Sequence, residues 1–194
     1  MKKFLFVFLF VSMLFCFASA EEPAPLSFRY DLTLESTLDD IKSAEGCAPT
    51  FTLGQYSIYQ NVSAANRTAE VLYVMGSDST IDMCMIGFTN SHSEENLYVM
   101  DYDSLDDLLI EKYGEPTKAK AVTWIDDLFM DDPSNLGLAI AAGQASVFTH
   151  WDLDGLYVLH CLAGDNYKIK EAILYSAEDP TGATLMPVGG SLGI

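Results

Sequence analysis

The chain has 194 residues, with 28 Asp and Glu against only ten Lys and Arg, and its formal net charge is −18. A chain this acidic cannot neutralise a phosphate backbone, which excludes nucleic acid as a partner. Its length suits one domain, or two small packed halves, with a sizeable core.

A secretory signal peptide is predicted over residues 1–20. Two lysines precede the apolar run FLFVFLFVSMLF, which is too short to span a bilayer, and ASA at 18–20 is a small-residue cleavage site. An uncleaved membrane anchor and a lipoprotein modified at Cys16 are the alternatives. Cleavage would leave 174 residues with a charge of −20, because two lysines are lost. We therefore expect a secreted or cell-envelope protein with no stable membrane insertion after cleavage.

Residues 21–30 contain two prolines and are predicted to form a flexible tether before the first helix. Ser36 or Thr37 can cap this helix, and an aspartate three residues later can complete a capping box. Gly46 is expected to end the helix in the left-handed conformation.

Three strand-like segments follow and complete a first half at residues 31–90. They are FTLGQYSIYQ, TAEVLYVMG and STIDMCMIGF, which are rich in β-formers or alternate between apolar and polar residues. The intervening GSDS predicts a hairpin turn between the last two segments.

A second helix is predicted from SLDDLLIEKYG, which nearly repeats the STLDDIKSAEG of the first helix. Ser104 is expected to cap it and Gly114 to end it. The residues spaced to form one core-facing stripe are Leu105, Leu108, Leu109 and Tyr113.

The remaining segments repeat the order of the first half. After the connection AVTWIDDLFMDDPSN come the strand-like segments GQASVFTHW, GLYVLHCLAG and YKIKEAILYSA, which complete a second half at 98–178. A flexible glycine-rich tail follows at 179–194. The predicted fold is α+β: one domain at 31–178 with two tandem αβββ units, whose helices lie on one face of the sheet.

These landmarks carry a resemblance to a known group of proteins. STLDDIKSAEG, LDDLLIEKYGEP, the following Trp124 and the Gly143–Trp151 strand resemble uncharacterised secreted proteins and lipoproteins of Gram-positive bacteria. Such domains resemble the β-lactamase inhibitor protein fold and the small lipoprotein of the outer-membrane assembly machinery. The resemblance covers about residues 31–177 and implies a binding module rather than an enzyme.

Patterns that suggest catalysis lack the context that their chemistry requires. GGSLG at 189–193 matches the nucleophile-elbow pattern, but no histidine follows Ser191. An extracellular hydrolase using paired carboxylates stays an alternative, since the required cleft is not readable from sequence. We predict no catalytic residue, no cofactor and no enzymatic activity.

Metal sites are likewise considered and not predicted. His150 and His160 lie on neighbouring predicted strands, but His160 and Cys161 are consecutive and point to opposite faces. At most one of these two can join His150 in a zinc or copper site. The acidic segments MDYDSLDD and WDLDG do not fit the twelve-residue calcium loop, although ligands from separate loops keep calcium binding as an alternative.

The mature chain would keep three cysteines, Cys47, Cys84 and Cys161. An odd number excludes a complete disulfide framework. Cys84 and Cys161 could pair or could be small buried apolar residues.

Aromatic residues in the predicted strands suggest a recognition surface. Tyrosine suits interfaces because its body is apolar and its tip polar, although strands also favour it as a core or edge residue. The predicted partner-binding residues are Tyr56, Tyr59, Tyr73, Tyr157, Trp151 and Tyr175. We predict a secreted, non-enzymatic module that binds an extracellular or cell-envelope protein or peptide through a sheet face, as an inhibitor or accessory factor.

Overall fold

The computed structural model describes residues 26–179, and the predicted signal peptide, the first part of the tether and the tail segment 180–194 lie outside that range. Within it, three α-helices and one 3₁₀ turn accompany eight strands of a single sheet. The helices are α1 (Leu38–Glu45), α2 (Glu95–Tyr113) and α3 (Leu136–Ala141), and the 3₁₀ turn is Pro133–Asn135. The strands are β1 (Phe51–Leu53), β2 (Tyr56–Ala64), β3 (Arg67–Met75), β4 (Ile81–Phe88), β5 (Lys118–Trp124), β6 (Ala145–Leu153), β7 (Leu156–Asp165) and β8 (Lys168–Ser176).

All neighbouring strands of the sheet are antiparallel, in the order β1-β2-β3-β4-β8-β7-β6-β5. The first four strands form one end of the sheet and the last four form the other. The two ends meet where β4 pairs with β8, from Met83 opposite Ser176 to Phe88 opposite Glu171. The predicted α+β class, with an antiparallel sheet, is therefore confirmed.

The predicted number of strands is wrong, because four strands rather than three follow α1 and four follow α2. In the first half, a two-residue turn with Gly54 at φ 57° splits one predicted segment into β1 and β2. In the second half, β5 lies in the segment predicted as a connection. Its residues are exposed or half-buried, so it has no alternating apolar pattern to reveal it. The six-residue α3 was also not predicted.

Helix α1 begins and ends where its local sequence predicts. The Thr37 side chain accepts a hydrogen bond from the Asp40 backbone N–H, and the Asp40 carboxylate accepts one from the Thr37 N–H at 2.8 Å. Gly46 ends the helix in the left-handed conformation, at φ 67°. The capping box and the glycine stop are thus confirmed.

Helix α2 begins nine residues before its predicted cap, because the first helical residue is Glu95 and not the one after Ser104. Ser104 lies in the middle of the helix, where its hydroxyl donates to the Met100 carbonyl at 2.8 Å. The helix does end before Gly114, as predicted. Of the predicted stripe, Leu105 and Leu109 are buried, whereas Leu108 is 50% exposed.

Thr37 and Ser104 were both predicted to cap a helix, but only Thr37 does so. Their alanine variants are therefore expected to differ in stability. Thr37→Ala should lower the free energy of unfolding by about 1 kcal/mol, because it removes a side chain that accepts from the helix terminus. Ser104→Ala should leave it unchanged or raise it by up to about 0.5 kcal/mol, because alanine has the higher helix propensity. Urea unfolding of both variants measures the difference, and equal losses would contradict these helix boundaries.

The helices pack on one face of the sheet. The larger apolar cluster joins Ile41 of α1 and Leu105 of α2 to inward-facing strand residues such as Tyr73 and Trp151. A second cluster joins Tyr102 of α2 and Ile140 of α3 to strands β6, β7 and β8. Because successive strand residues alternate between faces, the opposite face carries a separate set of side chains.

The described part of the predicted tether packs against the domain. Phe28 and Arg29 are buried, and Arg29 forms an ion pair with Glu45 at 2.7 Å. Lys112 and Tyr113, at the end of α2, donate to the carbonyls of Phe28 and Ser27 at 2.9 Å each. Residues 27–30 are therefore part of the folded domain, which corrects the tether prediction there. None of the helices found between residues 26 and 179 is both long and apolar enough to cross a membrane.

Candidate functional site

A buried polar cluster lies between α2 and the inward face of the sheet. At its centre the His160 side chain, on β7, has no exposed area. Its ring stacks on the Tyr102 ring of α2, with centroids 3.9 Å apart and planes 7° from parallel. We name the set Arg67, Tyr102, Asp106, Thr149, His160 and Glu171 the His160 cluster.

Two carboxylates flank the histidine ring. Asp106 Oδ1 lies 2.6 Å from His160 Nδ1, and Glu171 Oε1 lies 3.2 Å from Nε2. A neutral imidazole has one donor and one acceptor nitrogen, whereas a protonated ring donates from both. Both contacts can be hydrogen bonds in two cases. Either both ring nitrogens of His160 carry a proton, or the carboxyl group that faces an unprotonated nitrogen carries one.

The cluster is completed by Arg67 and Thr149. Arg67 donates two bonds to the Glu171 carboxylate, at 2.6 and 3.0 Å, and its guanidinium lies 3.9 Å from the Phe88 ring centroid. The Thr149 hydroxyl donates to Asp106 Oδ2 at 2.6 Å. Burial opposes the charged form of Arg67, but its bonds and charge interactions with Glu171 and Asp101 outweigh this effect and raise its pKa, so the guanidinium is charged.

The cluster reaches the surface through a third acid, Asp101. Asp101 accepts bonds from Arg67 at 3.0 Å and from Asn90, and it lies 2.8 Å from His92 Nε2. Burial raises the pKa of Asp101, but its bond to His92 and its contact with Arg67 outweigh this effect and lower it overall.

The geometry of the His160 cluster suits a structural role. The Asp106 and Glu171 side chains are only 10% and 2% exposed. All four of their oxygens already contact a donor from Thr149, His160 or Arg67. A substrate therefore finds no free oxygen on these two acids, and the cluster ties α2 to β3, β6, β7 and β8.

The histidines and acids considered as metal ligands are separated by the fold. His150 faces the opposite side of the sheet from His160, because His160 pairs with Thr149 on the neighbouring strand. Within residues 26–179, no group of three or more His, Cys, Asp or Glu side chains is placed to hold a metal ion. The acidic segment MDYDSLDD lies in α2 rather than in a loop.

Four of the six predicted partner-binding residues lie in the core. Tyr59, Tyr73, Trp151 and Tyr175 are at most 2% exposed. Each is an inward-facing strand residue, so a partner cannot reach it in this conformation. Trp151 instead donates to the Gly114 carbonyl at 2.8 Å, and Tyr73 donates to Glu45 at 2.6 Å. The strand-rich tyrosine pattern did not distinguish core from surface.

The other two predicted residues, Tyr56 and Tyr157, lie on the face opposite the helices, which we call the open face. They belong to one row of paired residues across the sheet, Tyr56, Val74, Met83, Ser176, Tyr157 and Asp152. Tyr56 is 43% exposed, and Tyr157 is half-buried. The Asp152 carboxylate is the main cause that raises the pKa of Tyr157.

A second row on the open face is apolar along most of its length. It runs through Ile58, Leu72, Met85, Leu174, Leu159 and His150. None of these residues belongs to either apolar cluster that contains the helices. At the β1 edge the face continues into Phe51 and Leu53, which are 38% and 58% exposed.

His150, which pairs onward with Lys118 of β5, has an unsatisfied side chain. It is 5% exposed, and neither ring nitrogen has a hydrogen-bond partner. Its ring lies 5.7 Å from the Tyr157 ring, with the planes 12° from parallel. Burying an imidazole without hydrogen-bond partners costs free energy, so stability does not explain why a histidine stands at position 150.

The three cysteines between residues 26 and 179, Cys47, Cys84 and Cys161, are free thiols. Cys84 is buried on β4 and Cys161 is half-buried on β7, with β8 between these strands. Burial raises the pKa of Cys161 to about 11, which makes it a poor nucleophile.

No protein-family model matches the chain, and no curated protein matches it. In a search of solved structures the chain is similar to a DUF4309 family protein, YjgB from Bacillus subtilis subsp. subtilis str. 168. The identity is 15%, the alignment covers 76% of this chain and 82% of YjgB, and the TM-score is 0.41. The similarity is thus to a protein of an uncharacterised Gram-positive family. The resemblance to the β-lactamase inhibitor protein fold stays a prediction.

Proposed function

We propose that the mature chain is a secreted, non-enzymatic binding domain that recognises a protein partner through the open face. The observation that carries the proposal is a continuous apolar surface on a sheet face to which neither helix-containing cluster contributes. Ile58, Leu174 and Leu159 of this surface are at most 9% exposed, but at its β1 edge Phe51, Leu53 and Tyr56 are 38%, 58% and 43% exposed. Exposed apolar side chains grouped in this way mark interaction sites. The partner belongs outside the cytoplasm, since the signal peptide predicts export, and an inhibitor or envelope accessory role fits both features.

The chemistry of the face specifies the kind of partner segment. Phe51, Leu53 and Tyr56 offer exposed apolar and aromatic contacts at one end. His150, on the same face, has two ring nitrogens without a partner in the fold, but both are buried and are not accessible to a partner in this conformation. An apolar or aromatic segment would therefore fit the exposed end of the face. The strongly acidic chain further favours a partner without net negative charge, because like charges slow association.

We also propose that the two halves arose by duplication of one helix-plus-strands unit. Support comes from the order of elements, since α1 and α2 are each followed by four antiparallel strands. It also comes from the sheet order, in which the last strands of the halves, β4 and β8, pair at the centre. Superposition of α1–β4 on α2–β8 tests this origin, and topologically unrelated halves would reject it.

Binding through the open face is tested by capture with matched surface variants. The mature chain, immobilised, is exposed to envelope and culture proteins of the producing cell. Leu53→Arg and Tyr56→Arg on the open face should each reduce recovery of the captured partner at least about tenfold, because each places a charge in an apolar contact. Met100→Arg is the control, since Met100 is 63% exposed on α2.

A further variant tests the role of His150 in the same assay. His150→Phe keeps an aromatic ring and removes two buried nitrogens that have no partner, so neither capture nor the free energy of unfolding should fall. Equal recovery by all four variants, or equal loss with Met100→Arg, would contradict the open-face interface. Turnover in a panel of extracellular substrates would favour the hydrolase alternative instead.

A further inference from the structure

A cavity of about 280 Å³ lies on the helix side of the sheet, between α2, the 27–30 segment and the end of β2. Its interior is apolar, and the buried side chains that line it include Ile86, Phe88, Leu105, Leu109 and Ile173. Leu108, which the helical stripe placed in the core, instead lines the cavity while half of its surface is exposed. The cavity therefore opens to solvent beside Leu108.

Residues 27–30 form one wall of this cavity, and hydrogen bonds attach them to the rest of the domain. Arg29 donates to the Ser63 carbonyl at 2.8 Å and to both oxygens of Glu45, at 2.7 and 2.9 Å. Tyr113 donates to the Ser27 carbonyl at 2.9 Å. The wall is thus bonded to α1, α2 and β2, so the cavity is built into the structure without a ligand.

Lys112 supplies a positive charge at the cavity. Its ammonium group donates to the Phe28 carbonyl at 2.9 Å, which positions it against the 27–30 wall. Among residues 26–179, no carboxylate lies within 4.0 Å of this ammonium. Desolvation lowers the pKa of Lys112, and the more distant Asp31 partly opposes that shift. The group can therefore accept an anionic partner without losing an existing ion pair.

We propose that this cavity binds a medium-chain carboxylic acid, with its apolar chain between α2 and the sheet and its carboxylate at Lys112. A volume of about 280 Å³ is large enough for a short alkyl chain. The apolar walls supply affinity for the chain, and the ammonium selects the sign of the head group. The proposal is independent of the proposed function, because the cavity and the open face are on opposite sides of the sheet.

The test compares three ligands of equal chain length on the mature protein: octanoate, 1-octanol and octylammonium. Calorimetry measures affinity, and methyl NMR locates the ligand. Octanoate should bind at one saturable site and shift the methyls of Leu105, Leu109 and Ile173, but not those of Leu159 and Leu174 on the open face. Octylammonium should bind at least tenfold more weakly, since it places a cation beside Lys112.

Two variants and one control separate the head-group and chain contributions. Lys112→Met should weaken octanoate at least tenfold and leave 1-octanol unchanged, whereas Lys168→Met on β8 should change neither. Ala64→Phe places a ring in the cavity and should abolish binding of both ligands, with a thermal melt confirming that the variant folds. Absence of shifts at the cavity methyls, equal binding of octanoate and octylammonium, or equal losses in the two lysine variants would each overturn the proposal.

Discussion

Replacing Glu171 with glutamine is expected to lower the free energy of unfolding by at least about 3 kcal/mol. The carboxylate is 2% exposed and accepts two bonds from Arg67 while facing His160. Glutamine has nearly the same shape but no charge, so the half-buried guanidinium of Arg67 loses its main counter-ion. Breaking a buried ion pair by neutralising one partner is costly for this reason, whatever the net contribution of the intact pair.

Urea unfolding of the mature chain measures this loss, and Asp39→Asn is its matched control. Asp39 pairs with Lys42 at 3.2 Å, but its side chain is 92% exposed, so its neutralisation should have no measurable effect. A double-mutant cycle with Arg67→Met adds a second criterion. The two losses should not be additive, because both variants break the same pair. A loss below about 1 kcal/mol for Glu171→Gln would show that the His160 cluster does not stabilise the fold.

Trp151→Ala is expected to cost about 4 kcal/mol of unfolding free energy. Trp151 has no exposed surface and lies in the larger apolar cluster, so alanine would leave a large cavity. The substitution also removes the donor that bonds the Gly114 carbonyl at 2.8 Å, at the end of α2. Thermal and urea unfolding measure the loss, and Trp151→Phe should cost less because it keeps part of the volume.

Tyr157→Ala is the control for Trp151, because Tyr157 is only half-buried and lies on the open face of the neighbouring strand. It should cost clearly less stability than Trp151→Ala. If the proposed interface is correct, Tyr157→Ala should reduce capture of the partner. Folded Trp151→Phe protein should capture the partner as well as the unmodified chain does. The reverse pattern would contradict the orientation of β6 and β7.

The features that were predictable from sequence are those made by residues close together in the chain. The capping box of Thr37 and Asp40 spans three residues, and the Gly46 stop depends on one backbone conformation. The turn predicted from GSDS, which joins β3 to β4, is equally local. The start of α2 was mispredicted for a related reason. Ser104 fits the local pattern of a helix cap, but the nine residues before it are also compatible with helix.

The His160 cluster was not predictable in this way, because its members come from distant parts of the chain. Arg67 and Glu171 are 104 positions apart, and Asp106 and His160 are 54 apart. The sequence did place His160 and Glu171 on adjacent predicted strands, so their proximity was predictable. The participation of Arg67 and Asp106 was not. Pairing of β4 with β8 and packing of α2 bring all four together.

By itself the sequence determined the α+β class, the α1 terminus signals, the turns and the acidic charge, since these depend on composition and on contacts within a few residues. Tertiary structure alone decided which strand face the helices cover. Alternation separates two faces, yet on β2 and β7 both faces carry apolar side chains, so the pattern cannot say which is core. That choice buried Tyr59, Tyr73, Trp151 and Tyr175 and left Tyr56 and Tyr157 on the open face.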